Sequence, residues 1–361
     1  MTADMDIAVV GGGAAGIAAA LTAARAGRTT ILLDRRPAAG GTGGFSGLTT
    51  LCGLYDDQGA FLNGGFTREF AEAISETPPL QMGKVWVLPY RPQKFREAGA
   101  RLFAATPNLQ TRWNTPLAAV LVDGRRIVRL NGINVRTVID CSGSAEVARA
   151  IGADCLATDH STQAPAVIFP LRNVTRAMHT PAQVAQVLLP VARAGLPPLS
   201  FQPSLEPGTI TVKFAGRPDQ VAPVIAFLRR RVSGFENCET PLTEFAPAQR
   251  AGRMVIGRYL LTGADVLTGR KFPDAVARCA WPIEQWTPGG VPRFRYLPSG
   301  AHYQIPAGAL RSANTENLFM AGKTISADVD AIASARVMGC CLATGAAAGL
   351  LAATYLQSSS A

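Results

Sequence analysis

A glycine run followed at a distance by a single acid holds the residues of this chain whose types and spacing could do chemistry most directly. In Gly11-Gly12-Gly13-Ala14-Ala15-Gly16, Gly11 permits a tight turn, Gly13 lets the backbone approach a pyrophosphate, and Gly16 lets a helix pack close to a strand. Asp34 stands where an acid can accept from both hydroxyls of a ribose. A helix opening on this run would offer free N–H groups and a positive dipole end to phosphate. A second run, Gly40-Gly41-Thr42-Gly43-Gly44-Phe45-Ser46-Gly47, is costly to order and suits a loop laid against a ligand better than a bare connector. The chain has three histidines, His160, His179 and His302, and seven cysteines without CxxC spacing, so no metal site is expected.

The elements around these residues fit that chemistry. Asp6 to Val10 reads as a short apolar strand, the alanine-rich run to Ala26 as a helix closed by Gly27, and Thr29 to Leu33 as a second strand ending at Asp34. Phe66, Phe70 and Ile74 share one face of a helix within 61–74, and Pro92 to Ala105 reads as an amphipathic helix. Leu117 to Val122, Arg126 to Leu130 and Asn134 to Asp140, joined by Asp123-Gly124 and Asn131-Gly132, predict a three-stranded meander running into the turn Cys141-Ser142-Gly143-Ser144-Ala145. From about Cys155 to Gly300 proline becomes frequent and glycine motifs vanish. Thr209 to Phe214 and Met254 to Leu261 read as strands there, and Pro181 to Ala194 and Pro218 to Val232 as helices. Asn317 to Gly322 then reads as a strand and Ala331 to Leu356 as one long, small-residue helix. The expected fold is α/β: a discontinuous Rossmann-like nucleotide-binding domain from residues 1–154 and 301–361, with an inserted α+β substrate domain at 155–300.

Composition narrows the class. Hydrophobic residues make up 48% and charged residues 17% of the 361, which suits broad buried surfaces and excludes a disordered chain. No tract of 18 uninterrupted apolar residues occurs, no membrane partner is expected, and scattered cysteines suit reduced thiols in a cytoplasmic protein. The formal charge of +10 is spread mostly over isolated residues, Arg229-Arg230-Arg231 being the only run of three; anionic cofactor and substrate account for part of the excess just as well as nucleic acid, which is not the expected partner.

With these elements placed, the chain resembles the FAD-dependent oxidoreductases of the glutathione-reductase-like two-dinucleotide fold over nearly its whole length. The carriers are Gly11-x-Gly13-x-x-Gly16 with Asp34, Gly40-Gly41-Thr42, Val138 to Gly143, Arg253 to Tyr259, Tyr303 to Pro306, Asn317-Leu318-x-x-Ala321-Gly322-Lys323, and the block from Ser326 through Arg336-Val337-Met338 to Gly349. The last block is the most specific and implies FAD rather than NAD. Departures are Ser144-Ala145-Glu146 in place of a Gly-Asp pair, and Lys323 where an arginine is usual.

The resemblance implies that FAD lies along Gly11, Gly13, Ala14, Ala15, Gly16, Asp34, Arg35, Gly41, Thr42, Ser46, Cys52, Gly143 and Gly322. The helix starting near Ala331, with Asp330 as its cap, would aim at the flavin edge. Arg336 is either a cofactor anchor or a partner for Asp328 or Asp330, and Cys52 either a thioether link to the flavin or a buried free thiol. His302, Tyr303 and Glu284 are the expected catalytic group. His302 would face the flavin from the domain junction as general base, whereas Glu284, between Trp281 and Trp286, would need desolvation to raise its pKa. The expected activity is hydride removal from a small organic substrate, an amine, alcohol or ring C–H, with electrons passing to an acceptor protein or partner subunit. A homo-oligomer is compatible with this. The alternatives are an RNA-modifying flavoprotein and an electron-transfer flavoprotein subunit of a complex.

Overall fold

The strand β1 (Met5–Val10) is apolar on both faces, the pattern of a parallel strand covered by helices on each side, and in the computed structural model it lies at the centre of the main sheet. The structure describes residues 4–158, 163–176, 178, 180–242, 248–288 and 290–358. His160 and His179 lie outside the described residues. From β1 the chain enters α1 (Ala14–Arg25), returns in β2 (Thr30–Leu33), and passes a short α2 (Gly41–Phe45) before β3 (Leu109–Arg112). The expected meander follows as β4 (Val120–Asp123), β5 (Arg126–Leu130) and β6 (Ile133–Asp140).

The main sheet has the order β3-β2-β1-β6-β5-β4. β1 pairs in parallel with β2, Ile7 opposite Thr30, and with β6, Ala8 opposite Val138. The first residues of β6 pair antiparallel with β5, so its far end leaves an edge free. A late strand takes that edge, as described below.

Between Cys155 and Gly300 a second sheet forms from β7 (Ala166–Leu171), β8 (Leu199–Pro203) and β9 (Ile210–Ala215), in the order β7-β9-β8. The helices α3 (Pro181–Arg193) and α4 (Val221–Arg231) accompany it. Thr180 starts α3 through a capping box with Gln183, which satisfies two end amides at once. The core of this sheet runs only from Val167 to Cys238. Met254, Leu261, Val266, Ala277, Cys279 and Ile283 instead belong to the main core, so the rest of the 155–300 stretch packs with the nucleotide domain. The strand expected over Met254 to Leu261 shortens to Arg253–Val255. Gly257 beyond it makes an isolated antiparallel bridge to Ser312, and a Cβ there would lie 2.7 Å from Ser326 Cβ.

The chain ends with β10 (Leu318–Met320), α5 (Val329–Ala335) and α6 (Met338–Ser358). β10 fills the open edge of β6 in parallel, Leu318 opposite Val138. The single helix expected from Ala331 to Leu356 is two helices, broken at Arg336-Val337, and the break points the backbone into a cavity. The cap of α5 is Asp328 rather than Asp330: its carboxylate accepts from the Asp330 and Ala331 amides at 3.0 and 2.7 Å.

α6 is long and apolar enough to cross a membrane by length and composition, yet most of it is buried inside the protein. Its glycines explain how. A Cβ on Gly345 would overlap the Ala15 carbonyl oxygen, and one on Gly349 would overlap that of Ala19, so α6 and α1 meet backbone to backbone. Gly345→Ala should therefore cost about 1–3 kcal/mol through forced separation of the helices, measured by denaturant unfolding. An unchanged midpoint would show that the helices can part without loss.

Candidate active site

A cavity of about 690 Å³ opens along the ends of β1, β2 and β6 and reaches across to β7 and β9. Such a volume suits a cofactor or drug-sized ligand. Gly11, Gly13, Ala14 and Ala15 line its outer part together with Asp34 and Arg35. Gly41, Thr42 and Ser46 follow, and Cys52, Gly143, Gly322 and Arg336 also lie in its wall.

The glycines divide by what holds them. Gly11, at φ +104°, would place a Cβ 2.5 Å from the Cys141 carbonyl oxygen, and a Cβ on Gly16 would overlap the Gly11 carbonyl oxygen, so both are demanded by the protein's own packing. Gly16 accordingly lies behind the cavity wall rather than in it. At Gly13 a Cβ would meet only Gly41 Cα, at 3.8 Å, so no protein atom requires a glycine there. Its side-chain space is cavity space, as a ligand phosphate would need. α1 begins at this point with no side-chain cap and no acid in its first turn, leaving its first amides for an anion. The Asp34 carboxylate accepts from the Gly12 amide and, at 2.6 Å, from the Arg36 amide, which leaves acceptor capacity for ribose hydroxyls. Gly143, at φ +74°, has a different task from a ligand contact: a Cβ there would lie 2.9 Å from Lys323 Cε, so the glycine seats that lysine. Burial and the Arg336 guanidinium lower the Lys323 pKa to about 8.

The inner end of the cavity carries charge. Glu284 is buried in the wall, its carboxylate accepting from Trp281 Nε1 at 2.9 Å and Trp286 Nε1 at 2.5 Å. Burial would push this carboxyl up, but the Lys213 ammonium, the Arg336 and Arg250 guanidiniums and the Trp281 N–H override it and hold the pKa at about 2. The two tryptophans were expected to raise the pKa of Glu284 by desolvation. They donate hydrogen bonds instead, so Glu284 is a fixed anion and not a base tuned near neutrality. Burial lowers the Lys213 pKa, against the pull of Glu284, and Arg250 lowers it further. The Cys52 thiol is pushed up to about 12, first by burial and then by Glu284, which keeps it neutral.

His302 and Tyr303 do not line the cavity, which corrects their expected place beside the flavin. The His302 carbonyl accepts from Lys271 Nζ, and burial with Lys271 and Arg278 lowers its imidazole pKa. Tyr303 is fully buried in the main core, its hydroxyl 2.8 Å from Ser334 Oγ. Asp330 and Ala331 are also outside the wall: Asp330 pairs with Arg295 at 2.6 Å and accepts from Gln285 at 2.8 Å. The helix start that faces the cavity is that of α6, where Arg336, Val337, Met338 and Cys341 line it, so the dipole role expected at Ala331 falls one helix later. Arg336 pairs with neither Asp328 nor Asp330; its Nη2 donates to Gln163 Oε1 and the Glu284 carbonyl at 3.2 and 3.3 Å. Lys213 and Arg250 were missed. The alternation of Ile210 to Ala215 could have shown that Lys213 breaks an apolar strand, whereas nothing around Arg250 distinguishes it in sequence.

The family described as FAD dependent oxidoreductase matches residues 6–197 and 201–361. The chain belongs to this family. Among solved structures, Aquifex aeolicus GidA aligns with 98% of the chain and 64% of its own length at a TM-score of 0.56 and 12% identity. A geranylgeranyl bacteriochlorophyll reductase-like protein from Thermoplasma acidophilum aligns with 99% of the chain and 79% of its own at 0.54 and 14%. CabE, an aromatic hydroxylase from angucycline biosynthesis, aligns with 98% and 63% at 0.53 and 14%. At these identities the likeness is one of fold. No curated protein matches the chain. The cofactor is FAD, and the cradle at Gly13, the uncapped α1 start and Asp34 fit it.

Gly13→Leu should yield colourless protein with the melting temperature of the flavin-free parent, since the side chain would fill the phosphate space without touching the protein core; a full flavin complement in that variant would refute the cradle. Glu284→Gln keeps one acceptor for two indole N–H donors and turns an amide N–H toward the other, so it should cost about 1–3 kcal/mol in denaturant unfolding.

Proposed function

We propose that this FAD-dependent oxidoreductase removes a hydride from a small organic substrate, an alcohol or ring C–H, in the inner half of the cavity. The observation that carries this is Lys213, an amine set in the cavity wall 4.7 Å from the centre of the Trp286 ring, with its pKa lowered by burial. A buried lysine of lowered pKa is suited to take the proton of a substrate hydroxyl as the C–H bond is broken. Bound FAD supplies the hydride acceptor. An amine substrate, also of the expected class, fits less well, because an ammonium would meet Arg250 and Arg336 with the Glu284 carboxylate already engaged by two indoles. Val337 and Met338 at the start of α6 and Ile168 on β7 supply apolar wall on which a ring system can be held and water excluded.

Electrons leave to an acceptor, a partner protein or subunit in this proposal, and a cytoplasmic, dehydrogenase-type enzyme is the setting that the free thiols suit. RNA is left out because Arg229 and Arg230 have structural tasks: they donate to the Cys238 and Ala226 carbonyls at 2.7 and 3.2 Å. Anaerobic mixing of the flavin-loaded protein with a panel of alcohols, amines and cyclic compounds tests the proposal through bleaching of the visible flavin band. An alcohol or ring compound should bleach it, at a rate that rises with pH as Lys213 loses its proton, and Lys213→Met should slow bleaching by about 10²-fold with flavin retained. Bleaching by reduced nicotinamide nucleotides alone would sink the proposal.

A further inference from the structure

Lys323 is a cation that the fold sets beside the phosphate end of the cavity without giving it a counter-ion. Its side chain is half-buried and lines the cavity. Two close approaches locate it. Gly322, just before it at φ +69°, lies so near α1 that a Cβ there would be 2.9 Å from Ala15 Cβ, and Lys323 Cε rests on Gly143, where a Cβ would be 2.9 Å away. Gly143 follows Ser142, whose Cα would lie 2.9 Å from a Cβ on Gly11. The ammonium is thus held in the wall that Gly11 and the first turn of α1 also form. Among the described residues its one hydrogen-bond acceptor is the Gln249 carbonyl at 3.1 Å, which leaves two of its three N–H donors for a ligand.

The charges that face Lys323 are mostly of its own sign. Burial first, then Arg336 at the break before α6, and Arg36 and Arg35 after β2, lower its pKa to about 8, and Arg253 shares the same cavity wall. The Cys341 thiol pulls the other way, but it is itself pushed up to about 12 and stays neutral. The acids of the adjoining elements are engaged elsewhere: Glu146 accepts from Ser144 at 3.2 Å and lies 3.8 Å from Arg35, Asp140 accepts from Ser142 and the Val147 amide, and Asp328 caps α5. Among the described residues no carboxylate lies within 4 Å of Lys323 Nζ. A partly desolvated ammonium among cations is costly unless an anion completes it, and the wall it shares is the one shaped for phosphate.

We propose that the Lys323 ammonium is the counter-ion of the FAD diphosphate, so that above neutral pH the cofactor and one proton bind together. Without FAD the lysine is protonated below about pH 8 and neutral above it. A bound diphosphate favours the charged form and raises the pKa. Binding therefore takes up no proton below that pH, where affinity is constant. Above it binding takes up one proton, and affinity falls by up to about tenfold per pH unit until the raised pKa is passed. An arginine at this position stays charged throughout and gives no such slope.

The test follows flavin release, not turnover. Purified holoprotein is diluted at fixed ionic strength from about pH 6.5 to 9.5, and released FAD is read by its fluorescence. The dissociation constant should be level to about pH 8 and then rise by up to about tenfold per unit. Lys323→Arg should stay level over the whole range. Lys323→Met should hold FAD about 10- to 100-fold more weakly at neutral pH, the loss expected for a hydrogen bond between charged groups, and should also lack the slope. ADP, which carries the diphosphate without the flavin, should lose potency as a competitor above the same pH, while adenosine should not. A level parent, the same slope in parent and Lys323→Arg, or unweakened flavin binding by Lys323→Met overturns the proposal, and a slope for adenosine overturns the diphosphate as the group that Lys323 meets. If one variant fails to fold, the other decides against the parent.

Discussion

The close approach of α1 to its neighbours is the constraint on which the rest depends. Ten of its twelve residues are buried, and on two sides the neighbour is backbone: the β1 turn at Gly11, and α6 through Gly345 and Gly349. An alanine-rich helix with little side-chain bulk gains less from burial per residue than a leucine-rich one. What it gains is position. Its first turn is held against the end of β1, with no side-chain cap and no acid within the turn, so an anion is received by a structure that has already been ordered. The Asp140 side chain braces the same place, accepting from Ser142 and from the Val147 amide at 3.0 Å, which fixes the turn that Gly11 packs against.

The cavity joins two differently built halves. Its outer part is backbone, glycine and one acid, furnished by the main sheet. Its inner part is side-chain charge, furnished by β9, by the 248–253 segment, by Glu284 and by the break between α5 and α6. The second core, Val167 to Cys238, shares no buried residue with the main one, so residues on β7 to β9 can vary the inner wall without disturbing the phosphate end. The helix break belongs to both halves: Arg336 enters the charged end while Val337 and Met338 at the start of α6 line the cavity beside it.

The cofactor half was legible in the sequence because its residues are constrained by backbone geometry. Gly11, Gly13, Gly16 and Asp34 are spaced by a strand, a turn and a helix of nearly fixed length, and Asn317 to Gly322 could be returned to the sheet because a short apolar strand has few other places to pair. The meander was legible for the same local reason, two tight-turn dipeptides. The inner half was not. Lys213 lies on a strand of the inserted sheet, Arg250 in an irregular segment, Glu284 in a short hairpin and Arg336 at a helix end, and only tertiary packing brings them together. His302 illustrates the converse: its place near the return to the nucleotide domain suggested access to the flavin, but the following strand, Tyr303–Pro306, pairs with Ala275–Cys279 and is drawn into the main core.

The Glu284 environment shows why residue type alone misassigned the chemistry. Two flanking tryptophans suggest an apolar pocket, and an isolated acid in one would be protonated well above its usual range. Here both indoles turn their polar edge to the carboxylate, and three cations lie close enough to hold it ionised. The charge of Glu284 is then best understood as what allows Lys213, Arg250 and Arg336 to be buried together at all, since three unneutralised cations in one wall would repel and drive the segment into solvent. One carboxylate against three cations leaves the inner wall positive. Whatever enters this end of the cavity meets a wall whose charge is set by the same packing that stabilises it.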